Sequence, residues 1–278
     1  ADATTFAEEV KAQQGKLGRF DRVEVVELLD KDATKANLLL ALRRLAANVA
    51  LPAGAPASFA RLAQAEPEDA VIVYFAGHGT AQGARFYLVP HDLGYSGPRA
   101  GIDAKAVETI LAHSVSDLEL ESAVEGLDAG QLVLVIDACN SGQALEAEEK
   151  RRGPMNSKGL AQLAYEKGMY ILTAAKSYQA ALETSQLGHG YLTFSLVEEG
   201  LRKGMADLGQ KDGLVSVREW FDYATERVPA MQQSNSDTRL LLEQDDKMTD
   251  QNRVRNLQSP RAFYRRDVEA IPVIIARP

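Results

Sequence analysis

Two residues of the chain have side chains suited to nucleophilic catalysis. His78 lies between two glycines directly after the apolar stretch 70–76, and Cys139, the single cysteine, follows the apolar stretch 131–136. A thiol with an unperturbed pKa of about 8.5 is mostly protonated at neutral pH, whereas the thiolate is the nucleophile. A neighbouring imidazole can take the thiol proton and return it to a leaving amine. The two residues together therefore predict acyl transfer through a thioester.

The stretches before these residues indicate how they are positioned. Residues 70–76 and 131–136 are nearly all apolar, which is typical of strands buried on both faces of a parallel sheet. In open α/β sheets, functional groups gather at the carboxyl ends of such strands. The separation of 61 positions from residue 78 to residue 139 leaves room for a crossover, so both side chains would meet at one sheet edge. The backbone N–H groups of Gly79 and Cys139 are then candidates for an oxyanion hole.

Each of these residues alone also has an ordinary structural interpretation. A single cysteine after a buried strand is more often a small apolar core residue than a nucleophile, and a single histidine is usually structural. The equivalent positions of His78 and Cys139 after two strands, with glycines nearby, favour a catalytic dyad. His91, His113 and His189 have no such setting and are weaker candidates.

Periodicity along the chain alternates between strands and helices. We predict helices over residues 4–14, 35–49, 104–111, 117–127, 160–167, 192–203 and 215–228. We predict strands over residues 23–29, 70–76, 86–89, 131–136 and 169–174, with weaker extended segments at 238–242 and 270–276. This alternation predicts an α/β fold with a mostly parallel sheet. A charged loop at 145–157 divides the chain into a larger first part, 1–150, and a smaller second part, 151–278.

Composition and charge exclude several classes of protein. The 278 residues include 31 Lys and Arg against 39 Asp and Glu, a net charge of −8, which argues against direct nucleic-acid binding through a basic face. No apolar run approaches the roughly 18 residues of a membrane span, and no signal-peptide pattern is present, so we expect no membrane partner and a reducing, cytoplasmic location. One cysteine excludes an internal disulfide and a multi-cysteine metal site. Dinucleotide, phosphate-loop and His-Glu-x-x-His zinc patterns are absent.

Two motifs carry a resemblance to a known family. They are Tyr74-Phe-Ala-Gly-His78-Gly79 and Asp137-Ala-Cys139-Asn-Ser-Gly142, with a further likeness at 189–195. Together they resemble the caspase-like cysteine peptidases, of the metacaspase and bacterial caspase-homologue type. The resemblance implies one peptidase domain folded as an α/β/α sandwich, with helices flanking the central sheet. It also implies hydrolysis of protein or peptide substrates, with His78 as general acid/base and Cys139 as nucleophile.

The residues around the nucleophile depart from true caspases, which have Gln-Ala-Cys-x-Gly there. Asp137 stands in place of the glutamine. In metacaspase-like relatives this Asp lines the primary specificity pocket with a second Asp, which Asp2 matches, and the resemblance adds Ser177 and Tyr178 as pocket wall. Two carboxylates in one pocket require a cation, so it implies cleavage after Arg or Lys. The alternative is that Asp137 is a structural acceptor and Asp2 part of a frayed terminus.

The resemblance bears on three further features. The family has a strand before the first helix, so we expect the first strand to be missing upstream of residue 1. The loop 146–158, where self-cleavage occurs in relatives, contains Arg151 and Arg152, and we expect cleavage after one of them, although a charged run is usually only a solvated surface. A peptidase of this kind must be restrained, so we expect an upstream or separate regulatory or sensor domain.

Calcium is a possible cofactor by the same resemblance. Asp92, Asp117 and Glu146 lie where oxygen ligands for calcium would fall. Ordinary surface carboxylates are the simpler interpretation, so we assign no metal and no obligatory cofactor.

The leading hypothesis is a caspase-like cysteine endopeptidase that cleaves after Arg or Lys through Cys139 and His78. The first alternative is a catalytically silent caspase-like scaffold that acts as a protein-interaction module. The second is a different cysteine-dependent acyl transferase that uses the same residues.

Overall fold

The computed structural model describes residues 1–82, 85–98, 102–140, 164–174, 188–209, 211–234, 258–265 and 272–278. The strands are β1 (Ala70–Gln82), β2 (Arg85–Val89), β3 (Val115–Ser116), β4 (Gln131–Asn140), β5 (Tyr170–Thr173), β6 (Val215–Ser216), β7 (Arg261–Phe263) and β8 (Ile274–Ala276). Six of them form one sheet in the order β3-β2-β1-β4-β5-β7. The other two, β6 and β8, pair with each other.

The direction of the strands makes the main sheet mixed. Strands β1, β4 and β5 run parallel at its centre, whereas β2, β3 and β7 are each antiparallel to a neighbour. The predicted mostly parallel sheet is therefore only partly right. Only two residues separate β1 from β2 in the sequence, and so short a connection permits a hairpin but no crossover.

Among the described residues, six helices surround the sheet, and three of them begin at a side-chain cap. The six are α1 (Asp2–Leu17), α2 (Lys35–Ala46), α3 (Ala104–His113), α4 (Asp117–Glu125), α5 (Tyr191–Phe194 continued by Ser195–Arg202) and α6 (Val217–Ser234). The first part of α5 is an α-helical turn and the second part is a π-helix. Short 3₁₀ turns occupy Asp30–Asp32 and Ala57–Arg61. Thr34, Asp103 and Ser116 each accept a hydrogen bond from a backbone N–H in the first turn of α2, α3 and α4, respectively.

The helices cover both faces of the sheet. On one face, Val133 and Val135 of β4 join a core with residues of α1, α5 and α6. On the other face, the intervening residues Leu134 and Ile136 join a core with residues of α2 and α4. This alternation along β4 is expected for a strand buried on both sides. The described residues therefore form the predicted α/β/α sandwich.

Both central strands are longer than predicted. The predicted ends were residues 76 and 136, but β1 continues to Gln82 and β4 to Asn140. The ladder between them runs without a break from Ala70 opposite Gln131 to Gly79 opposite Asn140. Residues 74–79 of the first motif and 137–140 of the second therefore lie inside paired strands and not in the loops after them.

Three other predictions about elements differ from the structure. Residues 23–29 join no sheet among the described residues, because β-branched residues favour an extended backbone but a strand also needs hydrogen bonds to a neighbouring strand. Helix α6 continues past residue 228 through Pro229, because the buried Met231 and Gln232 extend its packed face. Strand β7 is absent from the predicted strands, and the weak segment predicted at 238–242 lies outside the described residues.

Part of β1 has a free edge among the described residues, where a strand from upstream of residue 1 could pair. Among the described residues, positions 70–77 of β1 pair only with β4, because the contacts with β2 begin at His78. The upstream strand and the two-part division of the chain remain predictions. The main sheet continues from the first part to the second, since β5 pairs with β4.

Candidate active site

The two predicted catalytic residues are partners in the central parallel pair of strands. His78 of β1 is in register with Cys139 of β4. Neighbouring strands lie about 4.8 Å apart, so this register brings the two backbone positions side by side. His78 is exposed to solvent. A substrate carbonyl can therefore approach this edge of the sheet from outside.

Gly79 has a packing requirement in addition to its predicted role in an oxyanion hole. It is in register with Leu88 of β2 on one side and with Asn140 of β4 on the other. A Cβ atom at this position would lie only 2.7 Å from the ring of Phe86. The close approach of the Phe86 ring alone therefore accounts for a glycine here, and the oxyanion role stays a prediction.

The two predicted pocket carboxylates, Asp2 and Asp137, converge on one point of the structure. Asp137 lies on β4 two positions before Cys139, and Asp2 lies in the first turn of α1. A Cβ atom built on Gly190 would lie 3.4 Å from Asp2 Oδ2 and 3.6 Å from Asp137 Oδ2. The two Oδ2 atoms are thus no more than about 7 Å apart, the sum of those distances. We call Asp2 and Asp137 the acidic pair.

Asp137 is held by two hydroxyl groups. Thr193 Oγ1 donates to Asp137 Oδ2 at 2.8 Å, and Tyr74 Oη lies 3.5 Å from the same oxygen and 2.6 Å from Thr193 Oγ1. Burial away from water, together with the charge of Asp2, raises the pKa of Asp137 to about 6, although the Thr193 hydrogen bond opposes this shift. The carboxylate is therefore ionised at neutral pH but only by a small margin.

Tyr74 links the acidic pair to an aromatic stack. Burial, with the nearby charge of Asp137 as a further cause, holds the pKa of Tyr74 well above its usual value, so the phenol stays neutral. Its ring stacks on Phe6 of α1 with centroids 4.1 Å apart, and Phe6 in turn stacks on Trp220 of α6 at 5.7 Å. This stack fixes α1, and with it Asp2, against the end of β1.

Asp2 is bound through both of its carboxylate oxygens. His189 Nδ1 lies 2.8 Å from Asp2 Oδ1, and the backbone N–H of Gly190 donates to Asp2 Oδ2 at 3.2 Å. The Asp2 side chain remains 25% exposed and that of His189 18%. A solvent-borne cation can therefore reach the carboxylate of Asp2.

Comparison with known proteins identifies the family. A family model described as the caspase domain matches residues 54–250, which is more than half of the chain. The chain belongs to the caspase-domain family. No curated protein and no solved structure matches it.

Membership of the caspase-domain family makes the chain a member of a cysteine-peptidase family, with proteins as the class of substrate. The matched range includes both motifs, with His78, Asp137 and Cys139, and it also includes His189 and Thr193. Asp2 lies outside the matched range. Its place beside the caspase domain's Asp137 is therefore an observation from this structure alone.

Sequence reasoning missed three residues that surround the acidic pair. They are Tyr74, His189 and Thr193. His189 was a weaker candidate because no strand precedes it, yet its position just before α5 aims it at the first turn of α1. Thr193 is part of the stretch 189–195 that contributed to the resemblance, but nothing in its spacing indicated a contact with Asp137.

Several other predicted residues have no described position. Ser177, Tyr178, Arg151, Arg152 and Glu146 all lie outside the described residues. The backbone N–H of Ala174 donates to the carbonyl of Ile136 at 2.8 Å, so the chain leaves β5 beside the residue that precedes Asp137.

The predicted calcium ligands that are described have other partners. Asp92 Oδ1 accepts a hydrogen bond from the backbone N–H of Lys35 at the start of α2, and Asp117 lies 3.5 Å from Arg85. The described part of the chain contains no group of three or more His, Cys, Asp or Glu side chains that could hold a metal ion. In the same ranges, no helix combines the length and apolar character that crossing a membrane requires.

Proposed function

We propose that this caspase-domain protein is a cysteine endopeptidase that cleaves proteins after Arg or Lys, with Cys139 as nucleophile and His78 as general acid/base. The observation that carries the basic specificity is the convergence of the acidic pair, Asp2 and Asp137, at Gly190. Two carboxylates held this close repel each other, and a cationic side chain between them removes that cost.

The register of β1 and β4 supports the roles of the dyad. As the Cys139 sulfur attacks the peptide carbonyl carbon, its proton passes to His78, which then delivers it to the leaving amine as the C–N bond breaks. Water next attacks the thioester carbonyl with His78 as base, which releases the new carboxyl terminus and restores the thiol. Asp137 lies on the same strand, two positions before the nucleophile, so a bound cation would orient the adjacent peptide bond.

The test is hydrolysis of short fluorogenic peptides that end in Arg, Lys or Asp, with Cys139→Ala as the matched control. We expect release of the fluorophore from Arg and Lys peptides only, and its loss in the variant. Cleavage after Asp would retain the nucleophile but contradict the basic specificity. The full-length chain with any attached domain is the protein to use.

Two further measurements separate the alternatives. Alkylation of Cys139 by iodoacetamide, followed by mass spectrometry, reports an accessible thiol without any turnover. A reactive thiol with no hydrolysis of any peptide, with or without calcium, would support the catalytically silent scaffold over an enzyme. Products that contain the acyl group on an added amine in place of water would support the acyl transferase.

We also propose self-cleavage in the loop 146–158, after Arg151 or Arg152, because an enzyme of this specificity has a substrate within its own chain. Mass spectrometry of the purified chain would show two fragments, and the double change of both arginines to Ala would keep the chain intact. An upstream or separate regulatory or sensor domain and a cytoplasmic location are also part of the proposal. No metal is assigned, and the hydrolysis assay with calcium or a chelator tests whether activity depends on calcium.

A further inference from the structure

The segment 188–190 lies against the acidic pair, and the proposed roles of Cys139 and His78 give it no function. It ends at Gly190, whose carbonyl accepts the first backbone hydrogen bond of α5, from Phe194 N at 2.8 Å. Two groups of this segment, the His189 ring and the Gly190 N–H, bind the two oxygens of Asp2. The segment therefore fixes both the position and the rotation of that carboxylate.

Gly190 is not required by backbone geometry. Its φ of −60° and ψ of 151° are accessible to any L-residue. A Cβ atom would make only ordinary van der Waals contacts, at 3.4 Å from Asp2 Oδ2 and 3.6 Å from Asp137 Oδ2. Apart from the glycine and its chain neighbours, no other described atom lies within 4 Å of that point. What the glycine provides is a space that faces both carboxylates and that the other described residues do not fill.

We propose that Gly190 is a specificity-determining residue, because its missing side chain leaves the space between Asp2 and Asp137 for the cationic group of an Arg or Lys substrate. His189 is a positioning residue that keeps the Asp2 carboxylate turned toward this space. The inference rests on the proposed function, since it names the part of that site that admits the cation.

The distances agree with this role. Charge-assisted hydrogen bonds between a cationic nitrogen and a carboxylate are about 2.8 Å long. A guanidinium whose nitrogens each approach one oxygen of the acidic pair would span the separation of at most about 7 Å. A methyl group at position 190 would lie in the same space and exclude the guanidinium, while leaving both carboxylates in place.

His189 acts through Asp2 and not on the substrate directly. An ionised carboxylate only accepts hydrogen bonds, so the proton of this contact is on Nδ1 of His189. Without that bond the Asp2 side chain can rotate into solvent, since a quarter of it is already exposed. Asparagine can place an amide N–H near the position of Nδ1, whereas alanine cannot.

The experiment compares Gly190→Ala with Gly15→Ala, an exposed glycine of α1 with no described atom within 4 Å of an added Cβ. We expect Gly190→Ala to lower kcat/KM for an Arg peptide by about 100-fold, with the rate of Cys139 alkylation and the thermal unfolding temperature unchanged. Gly15→Ala should keep wild-type kcat/KM. Wild-type kcat/KM in Gly190→Ala would overturn the inference.

His189 is tested by its effect on KM. We expect His189→Ala to raise KM for the Arg peptide about 10-fold with kcat largely kept, and His189→Asn to restore much of the loss. His113→Asn, a change of an exposed histidine on α3, should leave KM unchanged. Equal loss of kcat and alkylation rate in His189→Ala, without rescue by Asn, would contradict a positioning role.

A binding measurement keeps this inference distinct from the proposed function. Benzamidine, a small aromatic amidinium, is titrated into the Cys139→Ala protein and into the same protein with Gly190→Ala. We expect binding only where position 190 is glycine. If benzamidine binds only where position 190 is glycine but no peptide is cleaved, the proposed peptidase activity is wrong and the inference about Gly190 is supported. If Arg peptides are cleaved but both proteins bind benzamidine equally, the peptidase activity is supported and the inference about Gly190 is wrong.

Discussion

Two sets of carboxylates on the same face of the sheet differ in whether the chain supplies their cationic partner. Glu9 of α1 and Glu199 of α5 each have an arginine of the chain as partner: Arg202 Nε lies 2.7 Å from Glu9, and Arg227 donates twice to Glu199, at 2.5 and 2.7 Å. The hydrogen bonds from Arg227 lower the pKa of Glu199, whereas burial raises that of Asp137.

Among the described residues, the acidic pair has no such partner. Asp2 forms an ion pair there only with His189, and the hydrogen-bond donors to Asp137, from Thr193 and Tyr74, are uncharged. Glu9 and Glu199 thus each have an arginine of the chain as partner, whereas the described residues supply none to the acidic pair. We infer that its cation is supplied by the substrate.

The largest expected effect comes from removing one charge of the acidic pair. Asp137→Asn keeps the shape of the side chain but halves the negative charge that faces Gly190. We expect kcat/KM for Arg peptides to fall about 1000-fold, because a buried charge partner of the substrate is lost. Because Asp137 is a carboxylate with a raised pKa, we expect no loss of thermal stability.

The control for this change is the rate of Cys139 alkylation, which should stay at the wild-type value. A comparable fall in both quantities would mean that Asp137 supports the strand and not the substrate. A sharp fall in the thermal unfolding temperature would also mean that Asp137 supports the strand.

Changing the other set of carboxylates should have the opposite outcome. Glu199→Gln leaves Arg227 without its charge partner, so we expect the free energy of unfolding to fall by about 2 kcal/mol, with KM for Arg peptides unchanged. Urea denaturation measures the first quantity and peptide hydrolysis the second. Glu198→Gln, which changes the more exposed partner of Arg202, should cost about 0.5 kcal/mol.

A raised KM in Glu199→Gln would contradict the distinction between the arginine-paired glutamates and the acidic pair. It would mean that the α5–α6 ion pair transmits strain to the acidic pair through Thr193.

A change of pH should have a smaller effect on cation binding than the loss of the Asp137 carboxylate by substitution. Because the pKa of Asp137 is about 6, its charge is mostly lost at pH 5 and mostly present at pH 7. We expect the Kd of benzamidine for the Cys139→Ala protein to rise about 10-fold as the pH falls from 7 to 5. Titration calorimetry at several pH values measures it, and the Asp137→Asn protein should show no such change.

The same group affects stability with the opposite sign. The folded-state pKa of Asp137 lies above its ordinary value of 3.8, so the folded chain binds this proton more tightly than the unfolded chain. Its contribution to stability is present below pH 3.8 and is lost as the pH rises through about 6. Acidification should therefore weaken cation binding while it strengthens the fold at this position.

Parts of this arrangement could be predicted from the sequence because they depend on local patterns. The apolar runs before His78 and before Cys139 indicated two adjacent buried strands, and the structure has them as β1 and β4. The length of these strands could not be predicted, because glycines and an aspartate in the motifs suggested loops. The ladder that continues through them is a tertiary effect.

The surroundings of the acidic pair were harder to predict. Asp2, Tyr74, Asp137 and Thr193 come from four elements that are far apart in the sequence, and no periodicity links them. His189 has no strand before it, and its role follows from where α5 begins relative to α1. The strand predicted at 23–29 failed for a related reason, since propensity does not reveal whether a partner edge is present.

The aromatic stack has a practical consequence. Trp220 is the only tryptophan of the chain, and its indole is fully buried, with Nε1 donating to the carbonyl of Leu196 in α5. It touches Phe6, which touches Tyr74, whose hydroxyl contacts Asp137. The only tryptophan thus lies two rings away from the candidate specificity site, and it can be excited at wavelengths that the nine tyrosines do not absorb. Its emission would report, without any label, whether the first helix is docked when a substrate arrives.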